Sequence, residues 1–181
     1  MNRIVKVISG GQTGVDQAGL RAAKACGLET GGTAPRGFRT DDGPAPWLAT
    51  DYGLLEHVSA EYPPRTADNV MSADATILFG VPSPGTNLTH RLCVADRKPF
   101  IWVFWGPGAI GRYTPVGEWG TSHTPGMVVT WVMSIGKPPC NLVLNIAGNR
   151  ERSTPGISAV AEQYLRDVFE RAGELWQRGT P

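Results

Sequence analysis

Six residues near the start, Ser9-Gly10-Gly11-Gln12-Thr13-Gly14, join an apolar run to a helical pattern. The run Ile4–Ile8 reads as a buried strand and Val15–Cys26 as an Ala-rich helix, with Gly27 as its C-cap. A strand that turns through glycines into a helix start presents backbone N–H groups at the positive end of a dipole, which suits phosphate or another oxyanion. The loop is neither a Gly-x-Gly-x-x-Gly dinucleotide motif nor a P-loop, since no Lys-Ser/Thr pair follows the glycines. A plainer reading stands beside the ligand reading: Thr13 and Asp16 form an acidic capping box, and the glycines make a tight turn.

A second glycine loop follows the apolar run Ala75–Phe79. There Ser83, Gly85, Thr86 and Thr89 offer hydroxyls and N–H groups, either to an anion or as an ordinary N-cap. A third polar loop, residues 148–154, follows the run Asn141–Ala147. Arginine suits bidentate grasp of phosphate or carboxylate. Of Arg36, Arg39, Arg150 and Arg152, the two just past strand ends, Arg36 and Arg150, are the expected anion partners; pairing with Asp41, Asp42 or Glu151 is the competing use. The predicted ligand site is therefore Ser9, Gly10, Gly11, Gln12, Thr13, Arg36, Ser83, Gly85, Thr86, Thr89 and Arg150. No Ser-His-Asp or Cys-His spacing appears, so no catalytic residue is assigned. His57, His90 and His123 are scattered, and Cys26, Cys93 and Cys140 have no ligand spacing, so no metal is expected.

The elements that must position these loops alternate between strand and helix. After helix 15–26 comes a short strand in Leu28–Ala34, then a long loop, residues 35–46, then a strand within Tyr52–Val58 and a helix over Arg65–Ser72. Leu88, Leu92 and Ala95 recur at helical spacing, Pro99–Trp105 holds another strand, and Met127–Ile135 is a helix. Residues 106–126 carry five glycines and two prolines before a final Pro125-Gly126, which predicts a surface excursion or lid. Trp102, Trp105, Trp119 and Trp131 cluster around it, and one of them could stack on a flat ring. In the last helix Ile157, Val160, Ala161, Tyr164, Leu165, Val168, Phe169 and Ala172 define one apolar face.

The alternation predicts an α/β fold, a three-layer sandwich with a mostly parallel sheet flanked by helices, in one domain over residues 1–181. Ligands in such sheets bind beyond the strand carboxyl ends at the topological switch point. If the strands of residues 4–8 and 75–79 are neighbours there, their two following loops face one pocket. The 181 residues carry a net charge of +1, which gives no electrostatic footprint for nucleic acid. No membrane-spanning stretch or signal peptide is read, and with three dispersed cysteines the expected location is cytoplasmic.

Several of these segments together resemble the molybdenum carrier protein family. They are Ser9–Asp16 with Ala22-Ala23, Gly31-Gly32-x-Ala34-Pro35-Arg36-Gly37, Ala73–Ile77, Gly85-Thr86-x-Leu88-Thr89, and Leu144–Gly148 with Arg150-Glu151. They run from about residue 3 to about residue 170. The resemblance implies a Rossmann-like relative of the lysine-decarboxylase-like proteins, a group that includes phosphoribohydrolases. It also implies a homo-oligomer that carries molybdenum cofactor, a pterin dithiolene ending in a phosphate, with molybdoenzymes or cofactor-synthesis proteins as partners. The chain departs from the family in a longer excursion at 106–126, and in Asn149 where a Pro is common, a change expected to loosen that loop. An alternative function is nucleoside monophosphate hydrolysis, as in the phosphoribohydrolases. Their second loop resembles Pro-Gly-Gly-x-Gly-Thr-x-x-Glu, and its acid is absent from Pro82–Thr89 here. A nucleotide sensor acting through partner proteins is a third reading.

Overall fold

The structure is a computed structural model that describes residues 2–107, 119–136 and 140–179. Residues 108–118, the body of the predicted excursion, lie outside the described residues.

Five strands form the main sheet: β1 (Arg3–Ile8), β2 (Glu29–Gly31), β3 (Ala75–Phe79), β4 (Phe100–Val103) and β5 (Asn141–Gly148). Their order is β2-β1-β5-β3-β4, and every neighbouring pair is parallel. Parallel sheets need cover on both faces. Helices α1 (Val15–Ala25), α5 (Pro125–Met133) and α6 (Ile157–Gly179) pack together, and α3 (Tyr62–Ser72) packs with α4 (Pro84–Ala95). The burial pattern of β3 fits this, since all five of its residues are buried. The apolar face predicted for the last helix enters the core through Ile157, Ala161, Tyr164, Leu165, Val168, Phe169 and Ala172.

The sheet order corrects one expectation. β1 and β3 are not neighbours, because the C-terminal strand β5 lies between them, with Leu144 beside both Val7 and Ala75. Hydrophobic runs declare that strands are buried and parallel; they do not declare which run fills the centre.

Local departures have local causes. The predicted strand 28–34 breaks at Gly32, whose φ of 120° ends the pairing with β1. Thr33-Ala34 pairs instead with Leu55-Glu56. The strand expected in 52–58 shrinks to those two residues, because Trp47–Tyr52 forms helix α2, stopped by Gly53 in the left-handed region. The long loop 35–46 holds a 3-10 turn at Arg36–Phe38 and a small antiparallel ribbon, 39–40 with 43–44. Helix α3 starts at Tyr62 rather than Arg65, since Pro63 and Pro64 fit in a first turn that needs no N–H partners. At the edges of the excursion, Trp105–Pro107 pairs antiparallel with Trp119–Thr121, and α5 begins at Pro125.

Candidate functional site

A pocket of about 70 Å³ opens beyond the carboxyl ends of β1, β5 and β3. β5 supplies its floor through Asn145, Ala147 and Gly148, because its central place carries it between the two glycine loops. One wall is a stripe on α3: Tyr62, Arg65, Thr66 and Asn69, at i, i+3, i+4 and i+7. The opposite sides come from Gln12 and Asp16, from Gly85 and Thr89 of α4, and from Arg150.

Arg65 is the residue that sequence reading missed. It is 8% exposed, and its Nη1 donates to Asp16 Oδ2 at 3.2 Å. Its Nε is buried with no hydrogen-bond partner. The signal was present in the chain. Three polar residues on the inward face of a helix, Arg65, Thr66 and Asn69, make a poor core stripe and a good pocket wall.

Arg65 also explains Gly10. A Cβ at position 10 would overlap the Arg65 guanidinium. Gly10 makes room for a buried arginine. Gly14 has a different task. It is the N-cap of α1 with φ 88°, and a Cβ there would meet Glu151 N at 2.6 Å. Thr13 is therefore not the cap of α1, contrary to the capping-box reading. Asp16 instead accepts from the Gln12 N–H at 3.3 Å, and Thr13 Oγ1 is buried without a partner. Burial holds the Asp16 carboxyl above the ordinary range, against the pull of Arg65, the Gln12 N–H and Arg150.

The first loop is largely satisfied from within. The Gly11 N–H donates to Ser9 Oγ at 3.2 Å, and the Thr13 N–H donates to Gln12 Oε1 at 2.9 Å. The Val15 N–H donates to Asn149 O at 3.1 Å. Ser9 is fully buried, and Gly11 turns against Leu48 and Leu54. Gln12 alone of residues 9–13 lines the pocket. Its side chain clasps the loop after β2, accepting from Asp41 N at 2.9 Å and donating to Asp41 Oδ1 at 3.3 Å. Asp41 in turn accepts from Arg150 Nη1 at 2.9 Å.

In the second loop, Ser83 caps α4 reciprocally. The Thr86 N–H donates to Ser83 Oγ at 3.2 Å, and the Ser83 N–H donates to Thr86 Oγ1 at 2.7 Å. Thr86 is thus committed to the cap. Thr89 Oγ1 donates to Gly85 O at 3.2 Å and lines the pocket. Gly85 faces open space: apart from its chain neighbours and the backbone of α4, no atom comes within 4 Å of a Cβ built there.

Arg36 is exposed and is not among the lining residues; its backbone N–H donates to Ser59 O. Three other arginines gather instead on the ring of Tyr62: Arg150 at 4.6 Å, Arg39 at 5.2 Å and Arg65 at 5.7 Å from Cζ to the centroid. Asn149 does not loosen its loop. It is 3% exposed, accepts from the Val81 N–H at 2.6 Å through Oδ1 and from the Val15 N–H through its carbonyl, and so ties its own loop to the start of α1 and to the segment after β3. Among the described residues no group of three His, Cys, Asp or Glu side chains gathers to hold a metal ion. No helix among them is long and apolar enough to cross a membrane.

An all-parallel sheet between helix layers, with a polar pocket at its carboxyl edge, defines a Rossmann-like α/β domain. The chain belongs to the circularly permutated YpsA SLOG family, whose model matches residues 7–169. It is similar to a crystal structure from Syntrophus aciditrophicus named "putative molybdenum carrier protein", with a TM-score of 0.72 and 28% identity over 92% of this chain and 94% of that one. No curated protein matched the sequence.

Proposed function

We propose that this protein binds a phosphate-bearing small molecule in the pocket beyond β1, β5 and β3, and that the molecule is molybdenum cofactor. The observation that carries the reading is Arg65: a buried guanidinium whose Nε has no partner, set in the wall of a pocket at the sheet's carboxyl edge. A buried unsatisfied donor costs about 1–3 kcal/mol. An anionic oxygen on that N–H removes the penalty. The open face of Gly85 at the start of α4 adds a helix N-terminus, and Arg150 adds a second guanidinium. The similar structure's name points to the same cargo.

The residues fit such a ligand at its phosphate end, through Arg65, Arg150 and Gly85, with Tyr62 as a flat ring beside it. Gln12 and Thr89 complete the polar lining. Ser9, Gly10, Gly11, Thr13, Ser83 and Thr86 support the site by holding its loops, and Arg36 lies outside its lining. Binding favours carriage over turnover, because the carboxylate lining this pocket, Asp16, is engaged by Arg65 and the Gln12 N–H. With this reading we also propose the homo-oligomer and the hand-over to molybdoenzymes that the family resemblance implies, and the cytoplasmic location expected from the sequence.

The test is anaerobic retention of molybdenum cofactor through gel filtration, read as pterin fluorescence after oxidation. Gly85→Asp runs beside wild type, since it places negative charge in open space with no atom to clash. Retention by wild type and loss in Gly85→Asp is the expected result. No retention by wild type overturns the cofactor reading; released base from nucleoside monophosphates then tests the phosphoribohydrolase alternative.

A further inference from the structure

The sheet face that carries α3 and α4 is covered unevenly. α3 packs on β5, and α4 on β5 and β3. The β1 part of that face instead floors a cleft of about 260 Å³. The cleft lies between the end of α3, at Asn69 and Ser72, and the stretch that holds Gly53 and Leu55, with Lys6, Ile8 and Val143 on the sheet. A lysine inside a strand of a parallel sheet breaks the apolar pattern that such a strand needs. Lys6 is half-buried, and β2 makes room for it: a Cβ at Gly31 would lie 2.9 Å from Lys6 Cε and 3.2 Å from Nζ. Among the described residues its ammonium has no hydrogen bond or ion pair. Two ordinary partners stand nearby and are not used. Glu29 is the neighbour of Lys6 in register on β2 and forms no ion pair with it. The carbonyls of Met71 and Ala73 at the end of α3 are taken by Lys98 Nζ, at 2.9 and 2.8 Å. The side chains of Thr33 and Ser72, which also line the cleft, have no hydrogen bond among the described residues either. No carboxylate is in the lining.

We propose that this cleft is a second ligand site, and that it takes a small monocarboxylate with an aliphatic body. The carboxylate sits on the Lys6 ammonium with the Thr33 and Ser72 hydroxyls, and the body lies over Ile8, Leu55 and Val143. Charge matching selects the class. One ammonium neutralises one negative charge, and the cleft holds no guanidinium fork for a dianion. The end of α3 carries the negative pole of its dipole, which disfavours a second charge further. Leu55 is 72% exposed, so an aliphatic chain laid over it removes apolar area from water. The site is separate from the pocket at the carboxyl edge. The two share only Asn69, whose amide is already bound at both ends to the Thr33 backbone: Oδ1 accepts from the Thr33 N–H at 2.9 Å and Nδ2 donates to the Thr33 carbonyl at 3.0 Å.

The test is titration calorimetry with hexanoate, acetate and hexanol, joined to amide NMR spectra of wild type. Wild type binds hexanoate about tenfold or more tighter than acetate, which lacks the chain, and than hexanol, which lacks the charge. Hexanoate moves the amide signals of Lys6, Thr33 and Ser72 and leaves those of Gly85 and Arg150 in place. Lys6→Met keeps an unbranched stem and removes the charge, so it weakens hexanoate about tenfold, to the level of hexanol, with the melting temperature within a few degrees. Absence of hexanoate binding by wild type overturns the site. So does binding no tighter than hexanol, or binding that Lys6→Met leaves intact. Shifts centred on Gly85 and Arg150 put the carboxylate in the other pocket and overturn it as well. Should Lys6→Met fail to fold, the wild-type spectra and the hexanol comparison decide alone. Cofactor retention is read separately, and its failure leaves this site standing.

Discussion

Replacing Gly10 by alanine tests whether this glycine exists to seat Arg65. The added Cβ would overlap the guanidinium, with Arg65 Nε 2.9 Å from it. The side chain must leave, and with it goes the Arg65–Asp16 pair, whose side chains are only 10% and 7% exposed. Breaking a buried pair costs about 3–5 kcal/mol. Asp16 keeps the Gln12 N–H, so the loss falls toward the lower end, about 3 kcal/mol. At about 2–4 °C per kcal/mol for a domain of this size, the melting temperature drops on the order of 10 °C. Loss of a hydrogen bond from a charged donor, about 1.5–3 kcal/mol, weakens inorganic phosphate by roughly tenfold to a hundredfold. Thermal denaturation and calorimetry read the two effects. The cycle with Arg65→Ala isolates their origin: the double variant should be no less stable than Arg65→Ala alone, since the alanine acts only through the arginine. A Gly10→Ala protein with wild-type stability and wild-type phosphate affinity would refute the reasoning, as would effects that add in the double variant.

Three further outcomes follow from the same geometry. Asp41→Asn removes the carboxylate on Arg150 but keeps the backbone bond to Gln12, so phosphate binding should tighten about threefold to tenfold at low salt and less at high salt, at a stability cost under about 1 kcal/mol; a salt series by calorimetry checks it. Asp16 titrates above its unfolded value of 3.8, so the folded state holds more protons between the two values; stability from this group is present below 3.8 and is lost as pH rises through the folded value. Melting curves across acid pH should therefore show wild type declining relative to Asp16→Asn as pH rises. Cys93 is fully buried, and burial pushes its thiol up, so it should react with a thiol reagent no faster than the protein unfolds, as read by mass spectrometry of the native protein.

Long or fully buried elements were legible because their patterns are strong. The last helix shows its face across four turns, and β3 and β5 are apolar runs that no surface strand would carry. Helix α2 was hidden because six residues are too few to show a period. The site was half legible. Glycine loops at strand ends pointed to the carboxyl edge of the sheet, and of the residues named there Gln12, Gly85, Thr89 and Arg150 line the candidate pocket. The sequence did not reveal that the first loop would spend its N–H groups on Ser9, Gln12 and Asp16, because short polar side chains serve a loop or a ligand equally well. Nor did it reveal Arg65, since two prolines before it masked the first turn of α3 and so the stripe that begins at Tyr62.

The place of β5 has a consequence for how the chain comes to be folded. Residues 3–8 and 29–31 form one half of the sheet, and 75–79 and 100–103 the other; the strand that joins them is made last. Until residue 148 has left the ribosome, the inner edges of β1 and β3 lack the partner strand that they have in the finished sheet. Arg3 meets Asn141 only after more than a hundred intervening residues, so the decisive contacts are the non-local kind that slow folding. Before β5 is made, neither half of the sheet has its central partner strand. The same strand floors the pocket, so the chain acquires its binding site in the step that closes its sheet.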